Sequence, residues 1–107
     1  AILMLDLDHF KRVNDNFGHA AGDTVLKHFA ALVRSELRQI DSGGRVGGEE
    51  FAILLLGADL PAAEQFAERL RAKVADTPPV HEGQPIPVTV SIGIATLEAA
   101  DGAPDAA

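Results

Sequence analysis

The spacing of apolar positions changes along the chain, and each change marks an element. Residues 2–7, Ile-Leu-Met-Leu-Asp-Leu, are nearly all apolar, as expected of a strand covered on both faces. Asp8 is placed to cap a short helix from about His9 to Phe17, with Phe10, Val13 and Phe17 on one face and Gly18 ending it. Asp23 or Thr24 can cap a longer helix reaching about Gln39, with the stripe Val25, Leu26, Phe29, Leu32, Val33 and Leu37. Ser42-Gly43-Gly44 is a loop or the start of a strand. Arg45-Val46, the Gly47-Gly48 pair and the apolar run Phe51 to Leu56 then predict a hairpin. Asp59 caps a third helix with Pro61 in its first turn; Phe66, Leu70 and Val74 form its apolar face, and Pro78-Pro79 ends it. Val88, Val90, Ile92 and Ile94 alternate with smaller residues, the period of a final strand. The order βααββαβ predicts an α+β fold, an α/β sandwich with a mixed central sheet that includes the hairpin and is flanked by helices.

Length and composition narrow the picture. A chain of 107 residues with 47% hydrophobic positions suffices for one small domain with one core. Residues 1–97 carry the pattern. Residues 98–107 are Glu, Ala, Asp, Gly and Pro, with almost nothing to bury, and predict a disordered tail. The first residues already lie inside a strand, so the chain reads as cut at both ends. There is no cysteine, which excludes disulfides and thiolate metal sites. No apolar run approaches the roughly 20 residues of a membrane span. The net charge of −7 argues against a broad face for a nucleic-acid polymer. It leaves open a small anionic substrate held through a divalent ion.

The chemistry concentrates in two places. Asp6 stands near the end of an apolar strand, where a carboxylate is not buried without compensation. It is either an exposed residue at the core edge or a ligand group, since strand ends are common binding sites in open sheets. Asp8 is a helix cap or a second carboxylate beside it. In Arg45-Val46-Gly47-Gly48-Glu49-Glu50-Phe51 the glycines accept a tight turn and let a ligand approach the backbone. Glu49 and Glu50 are solvated tip residues, or they converge with Asp6 if the hairpin lies beside that strand. Clustered carboxylates need a cation, and Mg²⁺ suits such hard donors. That combination points to metal-assisted phosphoryl or nucleotidyl transfer. His28 and His81 have no partners at metal-ligand spacing and read as surface residues, and His19 receives no catalytic role.

Gly47-Gly48-Glu49-Glu50-Phe51, preceded by Arg45, resembles the GG(D/E)EF signature of diguanylate cyclases. Asp6-Leu7-Asp8-His9-Phe10-Lys11, Asn14-Asp15, Phe17-Gly18-His19 and Gly22-Asp23 resemble that family's upstream block, and Ser91-Ile92-Gly93-Ile94-Ala95 its later strand. The resemblance covers most of residues 2–97. It implies a nucleotide-cyclase, palm-like fold that condenses two GTP into cyclic di-GMP and pyrophosphate, as a homodimer, in the cytoplasm and without membrane contact by this domain. It implies Mg²⁺ or Mn²⁺ held by Asp6, the Leu7 carbonyl and Glu49, with Glu50 sharing the metal or helping to activate the ribose 3′-hydroxyl. Asn14 and Asp23 would hydrogen-bond guanine, Phe10 and Lys11 would meet the terminal phosphates, and Gly47 and Gly48 would leave room for the nucleotide. Arg38-Gln39-Ile40-Asp41 resembles the family's R-x-x-D product-inhibition element, with Arg69 as an added contact. The usual Asp-x-Leu-Thr-Gly-Leu-x-Asn-Arg-Arg lead and a late helix with phosphate-binding Lys and Arg are absent, which implies low turnover for the fragment. A non-catalytic domain that senses cyclic di-GMP, and another nucleotidyl cyclase or palm relative, are the competing readings.

Overall fold

The computed structural model describes residues 1–96, so the tail expected at 98–107 lies outside the described residues. Strand β1 (Ile2–Leu7) leads to helices α1 (Phe10–Phe17) and α2 (His19–Glu36), then to the hairpin β2 (Ser42–Gly47) and β3 (Glu50–Leu54). Helix α3 (Leu60–Asp76), two short strands β4 (Val80–His81) and β5 (Gln84–Pro85), and β6 (Val90–Ala95) complete the fold. The main sheet runs β2-β3-β1-β6.

Every pairing in this sheet is antiparallel, where a mixed sheet was expected. The reason is topological. Each helical crossover returns the chain parallel to the strand it left, but a strand of opposite direction fills the gap: β3 between β1 and β2, and β1 between β3 and β6. The α+β class stands.

Strand β1 is also not covered on both faces. Leu3, Leu5 and Leu7 are buried, whereas Ile2 and Met4 are 44% and 50% exposed. All three helices contribute to a single core with Leu3, Leu5 and Leu7. A run of apolar residues therefore does not by itself fix how many faces are packed. Phe29 of α2 meets Phe51 of β3 edge to face, with ring centroids 4.8 Å apart, and so locks the long helix over the base of the hairpin.

Helix boundaries follow their caps. The Asp59 carboxylate accepts from the Ala62 N–H at 3.0 Å and starts α3 as expected. Gly18, at φ 92°, both ends α1 and starts α2, so α2 begins at His19 and Asp23 lies inside it rather than capping it. The helix stops at Glu36, short of Gln39. The β4–β5 hairpin turns on Glu82 and Gly83, both at positive φ. Among the described residues no helix is long and apolar enough to cross a membrane.

Candidate functional site

Asp6 of β1 lies directly across from Glu50 of β3 and from Ser91 of β6. The hairpin therefore does lie beside the strand carrying Asp6. Its turn, Gly48-Glu49, closes against that strand's end: the Leu7 N–H donates to the Glu49 carbonyl at 3.3 Å. Arg45 holds the turn from inside, its Nε donating to the Gly48 carbonyl at 2.7 Å. A bulge between Arg45 and Gly47 leaves Val46 out of register. Gly48 sits at φ 47°, which favours glycine. Gly47 has no such φ, and nothing lies within 4 Å of where its Cβ would be. The chain itself gives no reason for glycine at position 47.

Asp6 and Glu50 are exposed and Glu49 is half-buried. The donors are hard oxygens at one accessible edge, which fits a divalent cation such as Mg²⁺. The three carboxylates do not gather into a closed cage: among the described residues no three acidic or imidazole groups stand close enough to hold an ion alone. An ion at this edge therefore needs water or substrate phosphate to complete its shell, the habit of Mg²⁺.

Asp8 corrects the sequence reading. It does not cap α1; its carboxylate accepts from the Thr89 hydroxyl at 2.8 Å and the Ser91 hydroxyl at 2.6 Å, tying the end of β1 to β6. The N-cap is His9, in the left-handed region at φ 56°, with no side-chain hydrogen bond into the helix. The first-turn amides of α1, including those of Phe10 and Lys11, are left without a side-chain acceptor, an arrangement suited to an anion. The Lys11 side chain is 90% exposed, and its ammonium is only loosely paired with Asp15, at 3.8 Å.

Asn14 of α1 packs onto Gly22 of α2, the chain neighbour of exposed Asp23. Three and four residues past Asp23, Leu26 and Lys27 line a groove of about 290 Å³ between α2 and β2. Arg34, Arg45 and Phe51 line it as well. The Gly22-Asp23 pair and Arg45 were visible in the sequence; the packing of Asn14 on Gly22 and the groove cations Lys27 and Arg34 were not.

A second cluster lies at the end of α2. Arg38 makes a two-pronged pair with Asp41, Nε to Oδ2 at 2.9 Å and Nη2 to Oδ1 at 2.7 Å, and also donates to the Leu56 carbonyl at 2.8 Å. The Asp41 side chain is 1% exposed, and its hydrogen bonds from Arg38 hold it below the usual carboxylate range. Arg69 does not touch this pair: it binds Glu36 at 2.7 Å and stacks over Phe66. Lys73 joins Glu36 at 2.8 Å, and the hydrogen bonds from Lys73 and Arg69 lower the Glu36 pKa. The histidines expected at the surface are structural ties. His28 Nε2 donates to the Thr77 carbonyl at 2.7 Å, and His81 Nδ1 meets the Thr24 hydroxyl at 3.0 Å.

An antiparallel sheet with split crossovers and an acidic hairpin closed against its central strand defines an α+β domain of the GGDEF type. Residues 1–106 match the family described as diguanylate cyclase, GGDEF domain, and the chain belongs to that family. It is 50% identical over 97 residues to diguanylate cyclase DgcP of Pseudomonas aeruginosa, covering 91% of this chain and 14% of DgcP. The chain thus spans a small part of that relative's length. It superposes on diguanylate cyclase SiaD of Pseudomonas aeruginosa, solved with its activator SiaC, with TM-score 0.81 and 43% identity, covering 86% of this chain and 35% of the other. The GGDEF domain of DgcB from Caulobacter crescentus, solved with c-di-GMP, gives TM-score 0.80 at 29% identity, covering 86% and 56%.

Proposed function

We propose that this domain condenses two GTP molecules into cyclic di-GMP. The observation that carries the reading is the closure of the Gly48-Glu49 turn on the Asp6-Leu7 strand end, 3.3 Å across, beside the uncapped start of α1. Asp6, the Leu7 carbonyl and Glu49 hold the divalent ion, with Glu50 sharing it or drawing the proton from the ribose 3′-hydroxyl. The ion, when bound, stabilises charge on the phosphate oxygens and favours ionisation of the hydroxyl. Phe10 and Lys11 receive the terminal phosphates at the start of α1. Asn14 and Asp23 read guanine, whose N1–H and N2–H suit a carboxylate. Gly47, unexplained by the chain's own packing, leaves space for the nucleotide.

In each half-reaction a 3′-oxygen attacks the α-phosphorus of the other GTP. One P–O bond forms, the bond to the β-phosphate bridge breaks, and pyrophosphate leaves. Two such steps close the ring. One domain supplies half of this arrangement, so a homodimer aligns the two nucleotides, and alignment supplies much of the rate. The Arg38–Asp41 pair binds product and slows turnover, with Arg69 joining once it leaves Glu36.

The test is turnover of GTP with Mg²⁺ by the full-length protein. Glu49→Ala lowers cyclic di-GMP formation on the order of a hundredfold or more. Added cyclic di-GMP inhibits the wild type, and Arg38→Ala escapes that inhibition. Equal product from Glu49→Ala rules out the catalytic reading, and inhibition unaltered by Arg38→Ala rules out the product site.

A further inference from the structure

Gly22 lies inside α2, where its backbone is ordinary helix and demands no glycine. Glycine is the weakest helix former after proline, so its presence mid-helix needs another reason. Space supplies one. Gly22 is buried, and a Cβ placed on it meets Asn14 Oδ1 at 2.0 Å, Asn14 Cγ at 3.0 Å and Phe10 Cζ at 3.3 Å. A contact of 2.0 Å is far inside van der Waals range, so the Asn14 amide must turn away before any larger residue fits. The phenyl end of Phe10 needs to move only a few tenths of an ångström.

We infer that Gly22 is a positioning residue that sets guanine selectivity: its missing side chain forms the seat that holds the Asn14 amide. This rests on the proposed guanine role of Asn14. The seat is formed between two helices, so α1 and α2 must keep their packing for the amide to face a base. A single methyl at position 22 meets the Asn14 amide first and Phe10 only at 3.3 Å, and none of these three nearest atoms belongs to Asp6 or to the hairpin.

The test is equilibrium titration of GTP and of ATP, with Mg²⁺, against four forms of the full-length protein: wild type, Asn14→Ala, Gly22→Ala and the double variant. Thermal melts run alongside. Asn14→Ala weakens GTP binding roughly tenfold, about one well-made hydrogen bond, and leaves ATP binding little changed. Gly22→Ala reproduces that selective loss. The double variant is no worse than Asn14→Ala alone, because the methyl then has no amide to displace. If Gly22→Ala melts early, the double variant recovers the lost melting temperature, since removing the amide removes the clash. Gly22→Ala binding GTP as tightly as wild type, or an early melt that the double variant fails to rescue, overturns the positioning role. GTP binding indifferent to Asn14→Ala overturns instead the guanine reading beneath it.

Discussion

Glu36 is the residue on which two helices lean. It sits at the last position of α2 and takes Arg69 at 2.7 Å and Lys73 at 2.8 Å from α3. Those hydrogen bonds lower its pKa below the ordinary 4.5. A carboxyl depressed on folding contributes stability that is fully present above its unfolded value and is lost as pH falls through the folded one. The bond between α2 and α3 is therefore at full strength at neutral pH and fades below about pH 4.5. Glu36→Gln should lose stability at pH 7 and differ little from wild type near pH 2, as urea titrations at the two values would show. An equal deficit at both would mean that packing, not charge, explains the loss. The same residue illustrates what sequence conceals. Asp6, Glu49, Asn14 and Asp23 stood out because of their motifs. Glu36 had none, since its partners come from 33 and 37 positions away. Asp8 stood out for the wrong reason: an aspartate before a helix suggests a cap, yet the hydroxyls of Thr89, just before β6, and Ser91, within it, outcompete the helix for it.

At the scale of elements, legibility tracked local chemistry. Helix α3 was readable from end to end because Asp59, Pro61 and the Phe66, Leu70, Val74 face all belong to one stretch. Asp59→Ala should cost about 1 kcal/mol, a fall in melting temperature of about 4–8 °C for a domain of this size. An unchanged melt would show that the first turn is held by packing alone. Helix α2 was misplaced at both ends because Gly18 serves two helices at once, so no capping side chain announces the second. The short β4–β5 hairpin passed unseen because two-residue strands have no period. Its anchor, Ile86, is 1% exposed and acts through burial, not pattern. Helix α1 carries a left-handed His9 in place of a capping side chain, a strained choice that leaves its amides free to meet an anion.

Across the whole molecule, alternation along β1 divides labour between the two sheet faces. Leu3, Leu5 and Leu7 build the core, and Asp6 emerges among the opposite set, level with Glu50. The antiparallel order β2-β3-β1-β6 places the hairpin next to β1, so Leu7 and Glu49, 42 positions apart, meet at one edge. The hairpin's existence was plain in the sequence. Its neighbour was not, because strand order depends on crossovers that no local pattern encodes. The Arg38–Asp41 pair, proposed to bind product, and Asp23, proposed to read guanine, are likewise joined by α2, which carries Asp23 in its second turn and ends two residues before Arg38. One nucleotide is proposed to span the Asp6–Glu49 edge and the positions of Asn14 and Asp23. A crystal structure of the full-length protein with Mg²⁺ and a GTP analogue that cannot release pyrophosphate tests it directly. The expected result is the ion on Asp6, the Leu7 carbonyl and Glu49, and guanine against Asn14 and Asp23. A nucleotide bound elsewhere, or an ion held without Asp6 and Glu49, would contradict it.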